Sequence, residues 1–87
     1  MNTYKWIEIG EFPEGAPTGE VEAWNPYAAA QVLALRFSPQ EGKALPFGRF
    51  HDLPRRPGEG NRSIWYVEEP WFNGTALRQF ILEEVQE

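Results

Sequence analysis

Cysteine is absent from the 87 residues, and histidine occurs only once, at position 51. A chain without thiols forms no disulfide, no thiolate zinc site and no cysteine nucleophile. A single imidazole also leaves the usual metal-binding and acid–base patterns incomplete, because these combine several ligands or titrating groups. We therefore predict no catalytic centre, no metal site and no cofactor, and we expect that the protein is not an enzyme. The competing hypothesis is a small enzyme centred on His51.

Long apolar runs are missing as well. Glu8 and Glu11 fall where a signal peptide would need an apolar stretch, and no segment approaches the roughly 18 apolar residues of a membrane span. We expect a cytoplasmic protein that has no membrane partner.

The composition nevertheless supports a packed core, since 41% of the residues are hydrophobic and 15% are aromatic. A chain of this length buries only about 60% of its unfolded surface and does not sustain two cores. We therefore predict a single domain over residues 1–87. Its Pro/Gly/Arg-rich segment around 40–62 is expected to be mainly loop.

The spacing of apolar residues and chain breakers predicts an α+β fold: a small antiparallel sheet of three to four strands with two helices packed on one face, in the order ββαββα. Asn25-Pro26 marks the start of the first helix, because Asn caps free amides and Pro suits the first helical position. The second helix is expected after a cap at Asn73 or Thr75, with Leu77, Ile81 and Val85 on one stripe. The predicted strands cover residues 4–9, 20–24, 48–53 and 63–68.

The net charge of −5 is unevenly distributed. Residues 43–62 carry a net charge of +3, whereas the segments on either side are acidic. Arginines interleaved with aromatics are typical of single-stranded nucleic-acid binding, although the acidic remainder of the chain disfavours it. A nucleic-acid-binding domain that uses the basic 43–62 loop is therefore one alternative function.

Our leading interpretation is a non-catalytic protein–protein interaction module, an accessory subunit or inhibitor of a larger protein or complex. Rigid aromatics at the ends of elements often anchor interfaces, and exposed charge steers association. The predicted partner-binding residues are Trp24, Tyr27, Arg55, Arg56, Trp71, Phe72, Glu83 and Glu84. The sequence does not determine the oligomeric state.

Residues 20–30, with the sequence EVEAWNPYAAA, are predicted to form a strand that leads directly into an alanine-rich helix. This arrangement resembles a layout of compact accessory and phage-type proteins, including some small anti-CRISPR inhibitors. The resemblance covers less than half of the chain and includes no family-defining motif. It implies a further alternative, a small phage-type inhibitor that presents acidic surface to a nucleic-acid-processing machine. The acidic residues suggested for this surface are Glu8, Glu20, Glu22 and the Glu83-Glu84 end.

Overall fold

The computed structural model describes residues 1–71 and 73–85. Over these residues the chain forms five strands and one helix. In chain order the elements are β1 (Asn2–Ile9), β2 (Thr18–Ala23), α1 (Pro26–Arg36), β3 (Phe47–Asp52), β4 (Arg62–Trp71) and β5 (Gly74–Glu84).

The five strands build one sheet in the order β2-β1-β5-β4-β3, and every neighbouring pair is antiparallel. The central position belongs to β5, which pairs with β1 on one side and β4 on the other. Ile81 of β5 is therefore opposite both Ile7 of β1 and Ile64 of β4. The first and last strands of the sequence thus lie side by side.

The predicted fold class is wrong in two respects, because the protein is mainly β and the predicted second helix is a strand. Asn73-Gly74 is a turn signal as well as a helix-cap signal, and Gly74 has a φ of +138° where it pairs with Trp71. Beyond it Phe80 and Leu82 are buried while Leu77 is exposed, which is the alternation of a strand. Residues 74–83 pair with β4, and residues 79–84 also pair with β1, so tertiary pairing overrides the local helical pattern here.

The predicted first helix is confirmed, including its cap. The Asn25 side-chain oxygen accepts a hydrogen bond from the Ala28 amide at 2.8 Å, and Pro26 occupies the first helical position. Ala29, Ala30 and Ala34 are fully buried against the sheet. Since these side chains are small, the helix backbone approaches the strands closely.

The core fills the space between α1 and one face of the sheet. Its largest fully buried side chains include Tyr4 and Phe80. Phe37, just after α1, stacks on Phe80 with ring centroids 5.3 Å apart. The guanidinium of Arg78 lies 3.8 Å from the centre of the Phe37 ring and donates two hydrogen bonds to the Glu8 carboxylate, at 2.7 and 3.3 Å. These contacts tie β1, β5 and the end of α1 together.

All four predicted strands are present near the expected places. The first two strands pair antiparallel, and β3 lies at an edge, with a bulge between Arg49 and His51. The strand predicted at 63–68 lies between two neighbours, but only one of its faces is buried: Ser63 and Trp65 are buried, whereas Ile64 between them is not. The continuous apolar run Ile64-Trp65-Tyr66-Val67 would suggest a strand that is buried on both faces, but the structure buries only the face that carries Trp65 and Val67.

In the described residues, no helix is long and apolar enough to cross a membrane.

Alanine substitutions on β5 distinguish the strand from the predicted helix. We expect Phe80→Ala to lower the free energy of unfolding by about 3–5 kcal/mol, because the ring is fully buried. Leu77→Ala should cost about 1 kcal/mol or less, because this side chain is 48% exposed. Urea denaturation followed by tryptophan fluorescence measures both.

If the Phe80→Ala variant does not fold, Phe80→Leu is compared with Leu77→Ala instead, because it is expected to lower the free energy of unfolding by less. Similar losses at positions 77 and 80 would contradict the strand, since both residues belong to the core only in the helical arrangement.

Candidate protein-binding surface

Helix α1 covers one face of the sheet and leaves the other uncovered. The core residues of β1 and β5 have even numbers, so the odd-numbered residues of these strands point to the opposite side. Cross-strand pairing extends this second set over the neighbouring strands. We call it the open face; its residues are Lys5, Ile7 and Ile9 (β1), Thr18, Glu20 and Glu22 (β2), Arg62, Ile64, Tyr66 and Glu68 (β4), and Leu77, Gln79, Ile81 and Glu83 (β5).

Three isoleucines lie side by side across the middle of the open face. Ile7, Ile81 and Ile64 are direct cross-strand partners, and we call them the isoleucine row. Ile7 is 42% exposed, and the other two are half-buried. Thr18 on β2 and His51 on β3 are the next partners at the two ends of the row. The row thus exposes apolar surface across the middle of the sheet.

A second row contains charges that alternate in sign. Glu20 is opposite Lys5, Lys5 is opposite Glu83, and Glu83 is opposite Arg62; we call these four residues the charge row. Each strand adds one charge, so the order from β2 to β4 is negative, positive, negative, positive. Opposite charges at directly paired positions are favourable to the sheet. The charge row begins with a negative residue on β2 and ends with a positive residue on β4. The charge pattern of the open face therefore has a direction across the strands.

Arg62 is held at the end of the charge row by contacts outside the sheet. Its Nε lies 3.4 Å from a carboxylate oxygen of Glu59, without an aligned hydrogen bond between them. Its terminal nitrogen donates to the Pro54 carbonyl at 3.2 Å. A guanidinium has five N–H donors, so further donors remain for another acceptor.

The two rows border a shallow depression of about 420 Å³. Its lining includes Lys5, Ile7, Thr18, Glu20, Arg62, Ile81 and Glu83. An apolar floor with charges at its margin suits the side chains of another protein, because apolar area supplies affinity and charge supplies orientation.

Aromatic and aliphatic side chains extend the apolar surface beyond the isoleucine row. Phe50, at the bulge of β3, packs against Tyr66 with ring centroids 4.7 Å apart and is 45% exposed. Ile9 and Leu77 are also exposed. The apolar part of the open face therefore spans β1, β5, β4 and the bulge of β3.

Two of the sequence-predicted aromatics lie outside the five strands. Trp24 directly follows β2 and is the most exposed of the described tryptophans, at 72%. Tyr27, in the first turn of α1, is exposed but contacts the rings of Phe47 and Trp65 at centroid distances of 5.0 and 6.3 Å. Tyr27 therefore packs over the margin of the core, whereas Trp24 projects into solvent.

The remaining predicted residues are dispersed. Arg55 and Arg56 are exposed in the loop between β3 and β4, and the described cation–π contacts involve Arg36 and Arg78 instead. Trp71 is exposed at the end of β4, and Phe72 lies outside the described residues.

The predicted acidic pair is divided between the two sides of the sheet. Glu83 belongs to the open face, whereas Glu84 pairs with Tyr4 on the covered side. Glu8 also lies on that side, where it binds Arg78. The glutamates suggested for an acidic inhibitor surface therefore do not form one surface.

His51 is exposed on β3. Over residues 1–71 and 73–85, no three His, Asp or Glu side chains are grouped so as to hold a metal ion.

Sequence reasoning missed the open face because it assigned residues 74–84 to a helix. That assignment placed Ile81 in a core stripe and left no strand between Ile7 and Ile64. The available signal was the alternation within residues 4–9, which places Lys5, Ile7 and Ile9 on a common face.

Comparison with protein-family models, with curated proteins and with solved structures gave no significant match.

Substitution by threonine tests whether the open face is part of the folding core. We expect Ile7→Thr to change the free energy of unfolding by less than about 1 kcal/mol, because the side chain is exposed and threonine suits a strand. Val21→Thr is the matched control on the covered face; it should cost about 1–3 kcal/mol, because it buries a hydroxyl group. Urea denaturation of dilute protein measures both, and a larger loss at Ile7 than at Val21 would contradict the assignment of faces.

Proposed function

We propose that the protein is a non-catalytic interaction module that binds a protein partner through the open face, and that it acts as an accessory subunit or inhibitor. One observation carries the proposal: the isoleucine row lies on a sheet face that α1 does not cover. Single exposed apolar side chains are ordinary on protein surfaces, but contiguous apolar patches indicate an interaction site.

The apolar residues of the open face can provide the affinity of such an interaction. Fully burying an aliphatic side chain is worth about 1.5–3 kcal/mol relative to leaving it exposed. Ile7, Ile9 and Leu77 each keep at least 40% of their surface in water. Burial of this surface by a partner removes water from several of these side chains at once, so it offsets part of the entropy cost of association.

The charge row favours a protein partner over a nucleic acid. Its two positive and two negative charges cancel, and Glu22 and Glu68 add negative charge to the same face. A polyanion gains its affinity from counterion release at a positive surface. A protein whose charges complement the row would instead gain orientation and specificity.

Affinity capture from the native host tests the proposal. The tagged chain is compared with Ile7→Glu and with Leu35→Glu, a control on α1 that has the same charge change and nearly the same exposure, 40% against 42%. We expect the wild type and Leu35→Glu to recover a stoichiometric polypeptide, either a different protein or an untagged copy of the chain, and Ile7→Glu to lose it. A charge within an apolar interface is costly, which is the reason for the loss.

Circular dichroism confirms that the variants are folded. Recovery of the same polypeptide by Ile7→Glu at wild-type yield would refute binding through the open face. Loss in Leu35→Glu alone would move the interface to the outer side of α1.

A further inference from the structure

The partner class follows from the symmetry of the charge row. We infer that the open face binds the open face of a second copy of this chain, so that the protein is a two-fold symmetric dimer with its two sheets face to face. This inference rests on the proposed function and identifies the partner of the same surface.

A two-fold interface brings each surface against itself, so only a self-complementary pattern is compatible with it. Consider a two-fold axis that lies in the interface between the two sheets. It runs parallel to the strands and passes over the gap between β1 and β5. Rotation about this axis reverses the order of the strands but leaves each cross-strand row at its own level. The charge row of one copy, read from β2 to β4, then faces the row of the other copy read from β4 to β2.

The reversal matches every charge in the row with its opposite. Glu20 of one copy faces Arg62 of the other, and Lys5 faces Glu83. Because the relation is symmetric, the four positions give four attractive pairs across the dimer. An axis perpendicular to the strands through the same row would instead set each charge against itself, so the alternation selects the parallel axis.

The neighbouring row is matched by the same rotation. Ile7 of one copy faces Ile81 of the other, and Thr18 faces Ile64. The isoleucine row therefore packs against itself at the centre of the interface. The charge row lies to one side of it, toward the start of β1 and the end of β5.

The size of the paired part of the open face is of the order that a dimer needs. Four strands of each copy, β2, β1, β5 and β4, face each other about the parallel axis. Strands about 4.8 Å apart, paired over roughly seven residues of about 3.3 Å each, give these four a face of roughly 450 Å² before side-chain relief is counted. Stable interfaces bury about 800 Å² per partner, which is of the same order. Two sheets stacked about 10 Å apart with nearly aligned strands are a common packing arrangement. The resulting dimer has four layers: helix, sheet, sheet and helix.

Charge reversal in separate chains gives a test that depends on the axis. Lys5→Glu sets glutamates at positions 5 and 83 against each other in its own dimer, and Glu83→Lys does the same with lysines. We expect the dissociation constant of each variant alone to exceed that of the wild type by about tenfold or more.

An equimolar mixture of the two variants should recover the dimer, because the glutamate introduced at position 5 of one chain then faces the lysine introduced at position 83 of the other. The native Glu83 of the first chain likewise faces the native Lys5 of the second.

Sedimentation velocity measures the dissociation over a roughly hundredfold concentration range up to about 200 µM. The wild type is expected to dimerise, Ile7→Glu to be monomeric, and Leu35→Glu to behave as the wild type. A wild type that stays monomeric throughout would overturn the dimer, while the capture experiment would still report on a different partner. A dimer that persists in Ile7→Glu, for example through the free edge of β2, would also overturn it.

Cross-linking gives a second measurement that needs no charge reversal. The chain has no cysteine of its own, so a short bis-maleimide reagent joins only introduced thiols. Chains with Thr18→Cys and chains with Ile64→Cys should be linked to each other when mixed, whereas each alone should be linked much less. In the proposed dimer, position 18 of one copy lies about three strand spacings from position 18 of the other, and the same holds for position 64. Cross-linking of either variant alone that is as efficient as cross-linking of the mixture would therefore overturn the proposed axis.

Discussion

The pairing of β5 between β1 and β4 is the constraint on which the rest of the structure depends. It joins the two ends of the described chain into one sheet and fixes the register of both neighbours. That register places Phe80 and Leu82 beneath α1 and places Ile81 between Ile7 and Ile64. A shift of one residue would exchange the faces of β5, exposing the core and burying Glu83. The core and the open face are therefore two results of the same alignment.

The sequence was most informative where a local signal had one interpretation. Asn25-Pro26 predicted the start of α1, and the alternation over residues 4–9 and 20–24 predicted the first two strands. Residues 74–84 were ambiguous, because Leu77, Phe80 and Ile81 fit a helical stripe and also fit a strand that is apolar on both faces. The Asn73-Gly74 turn signal favours a hairpin with β4, but the same residues also suit a helix cap. The pairing with β1 that makes β5 the central strand is distant in sequence, and no local pattern contains it. The isoleucine row was missed for the same reason, since it exists only across strands.

The described residues contain one helix, and it covers one face of the sheet. The 11 residues of α1 extend about 16 Å, and its alanines allow it to lie close to the strands. Beyond the end of α1, Phe37 and the Arg78–Glu8 pair complete the packing on that side. The other face combines an apolar centre and balanced charge, and this combination supports association. A single sheet with one helix is thus half of a sandwich, and in the proposed dimer a second copy supplies the other half.

The central place of β5 also has a consequence for biosynthesis. Strand β1 leaves the ribosome before β5, yet it pairs on its inner side only with residues 79–84. Until these residues emerge, β1 and β2 can form no more than a two-stranded hairpin, which is marginally stable in water. The aromatic residues of these two strands, Tyr4 and Trp6, are buried in the folded protein but stay accessible until β5 has emerged. The sheet then closes in a step dominated by contacts distant in sequence.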